Sequence, residues 1–209
     1  SKNMFVPLSV GGGIRSIKDI QKMLNSGADK VSINSAAIDN PEFIREASRT
    51  FGSSTIVINI EAIKINKNYF ISKSNGRDLI KINPIYWGKK VEKLGAGEIF
   101  LTSVNREGLK EGFDLQLTKD LSKSVSIPLI AHGGAGNFNH VYELIKKTNV
   151  SGVSVSSLLH YEAAPYFIKN LKKIGNTHFL QKLKKKEKRI NLINNLKKFL
   201  RKNKINVRL

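Results

Sequence analysis

Two stretches of this chain repeat one pattern at an offset of 121 residues. Residues 6–37 and residues 127–158 align without a gap. Each has an apolar segment with proline in second place, a run of glycines, an amphipathic segment and a second apolar segment that ends in polar residues. An internal repeat of this kind is typical of a (β/α)8 barrel made of two similar halves.

Short β-branched segments alternate with longer amphipathic segments between the two copies of the repeat. This alternation predicts a parallel sheet built from βαβ units. Strands are predicted at residues 5–10, 30–34, 55–61, 97–102, 127–131 and 151–155. Helices are predicted at about residues 17–26, 41–51, 83–94, 114–124 and 137–147.

The predicted strands are too few for a closed barrel. Six are found where a (β/α)8 barrel has eight, and the first copy of the repeat comes two strands too early for a complete half. We therefore expect about two N-terminal βα units to be absent from this sequence. Residues 1–174 then form a partial barrel with a small inserted hairpin near 62–81, and residues 175–209 form a helical extension.

Positive charge is concentrated near the C-terminus. The net charge is +20, and residues 169–209 hold 15 Lys or Arg against a single acid, Glu187. Such a segment can bind nucleic acid or an anionic membrane surface, or it can be the solvated face of a helix. Apolar residues at mainly three- and four-residue steps favour the helix: Leu180, Leu183, Ile190, Ile193 and Leu196. We expect neither a membrane nor nucleic acid as a partner.

Composition narrows the possible chemistry. The chain has no cysteine, which excludes disulfides and thiolate metal sites and fits a reducing cytoplasm. Four scattered histidines do not suggest a metal site. No apolar run approaches the roughly 20 residues of a membrane helix. We expect a cytoplasmic protein without a metal or cofactor.

Glycines follow the first strand of each copy of the repeat, at residues 11–13 and 133–134. Glycine just before a helix lets backbone amides approach an anion, and the helix dipole adds favourable potential. The next strand of each copy ends in Asn34 and Ser35, or in Ser156 and Ser157. A single such glycine run indicates no more than a tight turn. Two in register predict two phosphate sites, which suit a substrate with a phosphate at each end.

Several segments closely resemble the cyclase subunits of imidazole glycerol phosphate synthases. The resemblance covers roughly residues 5–168 and the last dozen residues, and its most specific blocks are GADKVSIN and GAGEIFLTS. It implies a barrel through which ammonia travels from a partner glutaminase. The ammonia then reacts with a bisphosphorylated ribonucleotide to give imidazole glycerol phosphate and an aminoimidazole carboxamide ribotide.

The resemblance also implies site residues. The first phosphate site would contain Gly12, Gly13, Asn34 and Ser35. The second phosphate and substrate site would contain Glu107, Gly108, Gly133, Gly134, Ser156 and Ser157. Ammonia would enter at the other end of the barrel, beside Asp29, Lys30 and Glu98. Without the resemblance, those three charges indicate a surface salt-bridge cluster, since that end of a barrel normally serves stability.

Glu61 is the predicted catalytic residue. It stands at a strand end where the resembling family has one of two aspartates that act as general acid and base. The carboxylate is retained, so proton transfer remains possible. Glutamate is one methylene longer, and a misplacement of about 1 Å can cost on the order of 100-fold in rate. The alternative is a solvated carboxylate at a strand end.

Other positions also depart from the family. Glu107 and Asn105 each replace an aspartate, Ser54 replaces a glutamine of the ammonia path, and His132 replaces a small residue. His132 would crowd a phosphate or hydrogen-bond to it. Two functions within the family stay open: a divergent synthase, or a barrel that passes ammonia to a separate sugar amidotransferase. A basic binder of nucleic acid or membranes is the alternative from another class.

Overall fold

The computed structural model describes residues 6–160 and 191–208. The strands are β1 (Ser9–Gly11), β2 (Lys30–Ile33), β3 (Ile56–Ile65), β4 (Asn68–Lys73), β5 (Asp78–Ile80), β6 (Glu98–Ser103), β7 (Leu129–His132) and β8 (Gly152–Val153). The helices are α1 (Ile17–Asn25), α2 (Ser35–Asp39), α3 (Glu42–Phe51), α4 (Pro84–Lys93), α5 (Leu115–Ser124), α6 (Phe138–Lys147) and α7 (Leu192–Lys202).

Six strands form a parallel sheet in the order β1-β2-β3-β6-β7-β8. Helices alternate with these strands along the chain, and each parallel strand lies next to the parallel strand that follows it in sequence. A doubly wound sheet would reverse its strand order at a switch point, whereas a (β/α)8 barrel keeps it. The predicted fold class, a partial (β/α)8 barrel, is confirmed.

The parallel strands have two chemically different faces. The face beneath the helices is apolar, and each of these side chains is at most 1% exposed: Val31, Ile33, Ile56, Ile58, Ile60, Ile99, Leu101, Leu129 and Ala131. The opposite face, called here the inner face, carries Ser32, Asn59, Glu61, Glu98, Phe100, Thr102 and His132. Side chains alternate along each strand, so the inner face presents these polar groups beside the apolar Val57 and Ile130.

Helices begin at polar capping residues. Ser16 caps α1 by accepting a hydrogen bond from Asp19 N, and Asn137 caps α6 by accepting one from His140 N. Asn83 caps α4, where Pro84 holds the first helical position. These caps satisfy amide groups that have no partner within the helix, so they fix where each helix leaves the sheet.

The region expected as an inserted hairpin is an antiparallel extension of β3. β3 continues to Ile65, β4 pairs with β3, and β5 pairs with β4. The Tyr69 hydroxyl lies 2.9 and 3.0 Å from the two carboxylate oxygens of Asp114, the residue that caps α5. Burial, and then this hydrogen bond, raise the pKa of Tyr69 to about 12. The contact fastens the antiparallel extension to the body of the barrel.

The described C-terminal part is α7. Leu196 and Leu200 are buried, and the ring of Phe199 contacts those of Phe138 and Tyr142 at 5.8 and 6.5 Å between centroids. The amphipathic stretch expected at 175–192 lies almost entirely outside the described residues. In the parts of the chain that the structure describes, no helix is long and apolar enough to cross a membrane.

Replacing Tyr69 by Phe removes the hydrogen bond to Asp114 and is expected to lower the free energy of unfolding by about 1 kcal/mol. Urea denaturation measures the change. Tyr86→Phe is the matched control, because Tyr86 is 62% exposed on α4. Equal effects of the two substitutions would contradict the anchoring role of Tyr69.

Candidate active site

A cavity of about 880 Å³ opens at the carboxyl ends of β1, β2 and β3. It brings together the predicted residues of the first phosphate site and the predicted catalytic residue: Gly12, Gly13, Asn34, Ser35 and Glu61. Their positions follow from the fold, since the carboxyl ends of neighbouring parallel strands meet at one edge of the sheet. The residues of the predicted anion site and the predicted catalytic carboxylate therefore share one cavity.

The three consecutive glycines have different structural roles. Gly11 is the last residue of β1, and a Cβ there would lie 3.0 Å from the Cβ and the carbonyl oxygen of Ser32. Gly12 and Gly13 have φ angles of +101° and +73°, which side chains disfavour, and nothing lies within 4 Å of where their Cβ atoms would be. The first glycine permits strand packing, and the other two leave backbone accessible from the cavity.

The amino end of α1 already has a carboxylate. Asp19 Oδ2 accepts hydrogen bonds from Arg15 N at 3.0 Å and from Ser16 Oγ at 2.9 Å. The bond from the Arg15 amide is the main cause that lowers the pKa of Asp19. This carboxylate offsets part of the helix dipole. An anion in the cavity would therefore depend on the glycine backbone and the end of β2 more than on the start of α1.

Glu61 is held by the antiparallel extension. Its side chain is on the inner face of β3, the residue is 8% exposed, and Oε2 accepts a hydrogen bond of 2.9 Å from Gly76 N. Gly76 has a φ of +79°, and a Cβ there would lie 3.0 Å from Val104 Cγ1. The turn between β4 and β5 thus fixes the orientation of the carboxylate at the cavity.

An ion pair lies at the rim of the cavity. Lys73 Nζ on β4 is 2.5 Å from Asp39 Oδ1 at the end of α2, and both residues line the cavity. The hydrogen bond to Asp39 is the main cause that raises the pKa of Lys73. The pair connects the antiparallel extension to the opposite side of the cavity, next to the predicted phosphate site.

A second, smaller pocket of about 40 Å³ lies at the ends of β7 and β8. All residues predicted for the second site line it: Glu107, Gly108, Gly133, Gly134, Ser156 and Ser157. A Cβ at Gly134 would lie 2.1 Å from Gly112 O, and one at Gly133 would lie 2.8 Å from Ser103 O. Close backbone packing therefore requires glycine here, in contrast to Gly12 and Gly13.

His132 and Glu107 face each other in the second pocket. His132 Nε2 is 3.5 Å from Glu107 Oε1, and Nδ1 is 3.4 Å from the carbonyl oxygen of Ser154. The ring also lies 5.5 Å from that of Phe100. A carboxylate repels a phosphate, so the Glu107 side chain suits a hydroxyl or amine donor, whereas an imidazole nitrogen can donate to an anion.

The strand register places a residue of the first cavity and a residue of the second pocket on neighbouring parts of the inner face. Glu61 pairs with Thr102, and Thr102 pairs with His132, so the three residues lie side by side on the inner face. Neighbouring strands are about 4.8 Å apart, which places the backbones of Glu61 and His132 roughly 10 Å from each other. The carboxylate of Glu61 therefore lies on the side of the first cavity that faces the second pocket.

The charges predicted at the ammonia entrance lie at the amino ends of the strands. Lys30 Nζ is 2.6 Å from Glu98 Oε2, and this pair spans β3, which lies between β2 and β6. Asp29 Oδ2 instead accepts a hydrogen bond from Leu8 N at 2.7 Å. Lys30 and Glu98 form a half-buried ion pair, while Asp29 ties the start of β1 to β2.

Sequence reasoning did not identify Asn59 and Lys73, which line the first cavity, or Gly76, whose N–H donates to Glu61. Asn59 precedes Glu61 by two residues, so strand periodicity alone places both on one face. Lys73 reaches the cavity, and Gly76 reaches Glu61, through the fold of the antiparallel extension, which their sequence positions do not reveal. Among the described residues, no group of three or more His, Cys, Asp or Glu could hold a metal ion.

The family model described as "Histidine biosynthesis protein" matches residues 1–165. The chain belongs to this histidine biosynthesis family. It is 49% identical over 162 residues to the imidazole glycerol phosphate synthase subunit HisF of Bacillus cereus strain G9842, a match that covers 77% of this chain and 64% of that protein. It is 50% identical over 141 residues to the HisF subunit of Sulfurisphaera tokodaii, covering 68% of this chain and 57% of that protein.

The resemblance found in the sequence is thus confirmed as a likeness to HisF subunits. The chain spans less than two thirds of the length of these curated relatives, 64% and 57%. The partial (β/α)8 barrel agrees with membership of the histidine biosynthesis family. The assignments of individual site residues remain predictions.

The two glycine turns are expected to respond differently to alanine. Gly134→Ala places a Cβ against Gly112 O and is expected to lower the free energy of unfolding by more than Gly12→Ala. At Gly12 the cost is about 1–2 kcal/mol, from the left-handed backbone alone. Thermal or urea unfolding measures both. A larger loss for Gly12→Ala would contradict the packing described for the second pocket.

Proposed function

We propose that the full-length protein is the cyclase subunit of an imidazole glycerol phosphate synthase. It would use ammonia to convert a bisphosphorylated ribonucleotide to imidazole glycerol phosphate and an aminoimidazole carboxamide ribotide. One observation carries the proposal most directly: Gly12, Gly13, Asn34 and Ser35 line the same cavity as the carboxylate of Glu61. The likeness to HisF subunits of imidazole glycerol phosphate synthases supports the same assignment.

Two anion sites on either side of a carboxylate suit a substrate with a phosphate at each end. One phosphate would bind the accessible backbone of Gly12 and Gly13 with Asn34 and Ser35. The other would bind near Gly133, Gly134, Ser156 and Ser157. The reacting part of the ribonucleotide would then lie between them, beside Glu61. Because Gly76 N holds one oxygen of that carboxylate, Glu61 is oriented to accept a proton as ammonia forms a bond to carbon.

Ammonia would come from a partner glutaminase at the amino ends of the strands. The supporting observation is the half-buried pair of Lys30 and Glu98, which lies on the inner face at that end. Burying charges costs free energy, and the amino-terminal end of a barrel normally contributes only to stability. An ammonia entrance would explain why a charged pair is placed there. The inner face of β3 then leads from this pair toward Glu61.

Turnover with ammonium tests the proposal. The full-length protein is given the bisphosphorylated ribonucleotide and a high concentration of ammonium salt, and product is measured. Glu61→Gln is expected to lower kcat by 100-fold or more with little change in the KM of the ribonucleotide, because the amide cannot accept the proton. Glu143→Gln, the same change at an exposed ion pair on α6, is the control and should keep full activity.

Absence of turnover in the unmodified protein would contradict the cyclase proposal. If the same protein still activated its glutaminase, the barrel would be the ammonia conduit of a separate amidotransferase. Activity that survives Glu61→Gln would remove Glu61 from the reaction while leaving the cyclase assignment in place.

The substitution Lys30→Met is expected to lower turnover with glutamine more than turnover with added ammonium. It removes the ion pair with Glu98 at the amino end of the strands, two side-chain steps before Glu61 on the inner face. Glutamine-dependent turnover in the complex should fall by tenfold or more, while turnover with added ammonium stays within twofold. Parallel assays of the complex with glutamine and with ammonium measure this, and equal losses in both would show that the pair serves stability alone.

A further inference from the structure

We propose that the side-chain amide of Asn59 binds ammonia on the inner face and positions it below Glu61. This inference rests on the proposed function, since it concerns the nitrogen that the reaction consumes. It adds a binding residue that neither the sequence patterns nor the family resemblance indicated.

The first observation is that two buried side-chain amide oxygens lack a hydrogen-bond partner. Oδ1 of Asn59 and Oδ1 of Asn34 are buried, and neither has a hydrogen-bond partner among the described residues. Both side chains line the cavity that contains Glu61. Buried polar atoms are nearly always hydrogen-bonded in folded proteins, because an unpaired one loses its hydration without compensation. Two such atoms in one cavity point to a ligand that donates hydrogen bonds.

The second observation is the position of Asn59 along β3. Val57 pairs with Glu98 in the parallel register, so the Lys30–Glu98 ion pair lies one side-chain step before Asn59 on the inner face. Glu61 lies one step after it. Each step of two residues along a strand is about 6.6 Å. Asn59 is therefore the intermediate position on this strand between the proposed ammonia entrance and the carboxylate.

An unpaired acceptor calls for a hydrogen-bond donor, and ammonia is the donor that the proposed function supplies along the inner face. Oδ1 of Asn59 only accepts, so it cannot bind a fully ionised phosphate, whereas Asn34 can still donate to a phosphate through its side-chain NH2 group. Ammonia and ammonium carry N–H groups and are small enough to pass along the inner face. With one N–H donated to Asn59 Oδ1, ammonia lies next to Glu61, and its nitrogen lone pair remains available for reaction.

Titration with ammonium chloride, followed by NMR, tests binding without any turnover. The side-chain NH2 signals of Asn59 and Asn34 are assigned in the full-length protein by triple-resonance spectra and followed as salt is added. We expect saturable shifts of the Asn59 signal with ammonium and none with tetramethylammonium chloride at the same ionic strength. An unmoved Asn59 signal would overturn the inference, and equal shifts with potassium chloride would do so too, since potassium has no hydrogens.

Steady-state kinetics of two variants provide a second test. Asn59→Ala is expected to raise the KM for ammonium about tenfold and to leave the KM of the ribonucleotide within twofold. Asn139→Ala, which removes the same amide from an exposed position on α6, should change neither. Equal increases in both KM values would show that Asn59 only shapes the substrate cavity, which contradicts the inference.

The NMR titration and the kinetic assays distinguish a failure of this inference from a failure of the proposed function. If the unmodified protein shows no turnover, the cyclase proposal fails, and the NMR titration still decides whether ammonium binds at Asn59. If turnover is normal and the Asn59 signal does not respond to ammonium, the cyclase proposal stands and the role of Asn59 is wrong.

Discussion

Burial of one face of the parallel strands beneath the helices is the interaction on which the site depends. Isoleucines such as Ile56, Ile58 and Ile60 are at most 1% exposed on that face. Because successive side chains of a strand point to opposite faces, this burial forces Asn59 and Glu61 onto the inner face. A slip of one residue would exchange the two sets. The hydrophobic core therefore determines where the polar residues of the cavity stand.

The two glycine turns look alike in sequence but differ in physical cause. Gly12 and Gly13 adopt left-handed backbone conformations beside open space, as expected where a ligand approaches the chain. At Gly134 the backbone of Gly112 takes the space that a side chain would need, so the loop before α5 is part of that turn. The proposed anion binding at the second pocket would thus depend on the packing of this loop, whereas at the first it would depend on the left-handed glycine backbone and on the end of β2.

The sequence allowed the strand order and both groups of glycines and hydroxyls to be predicted, because each arises from a local pattern repeated along the chain. It did not reveal that Gly76 N holds Glu61, since that contact depends on how the β4–β5 turn folds back over the cavity. The pairing of His132 with Glu107 was equally hidden, as the two meet only through the register of β6 and β7. Local patterns identify the groups, and long-range packing determines their partners.

We propose that two anion sites lie on either side of the Glu61 carboxylate. A crystal structure of the full-length protein grown with the bisphosphorylated ribonucleotide tests it most directly. We expect one phosphate against Gly12 and Gly13, the other against Gly133 and Gly134, and the Glu61 carboxylate beside the reacting part of the ligand. A ligand with both phosphates outside these two turns, or one lying away from Glu61, would contradict it.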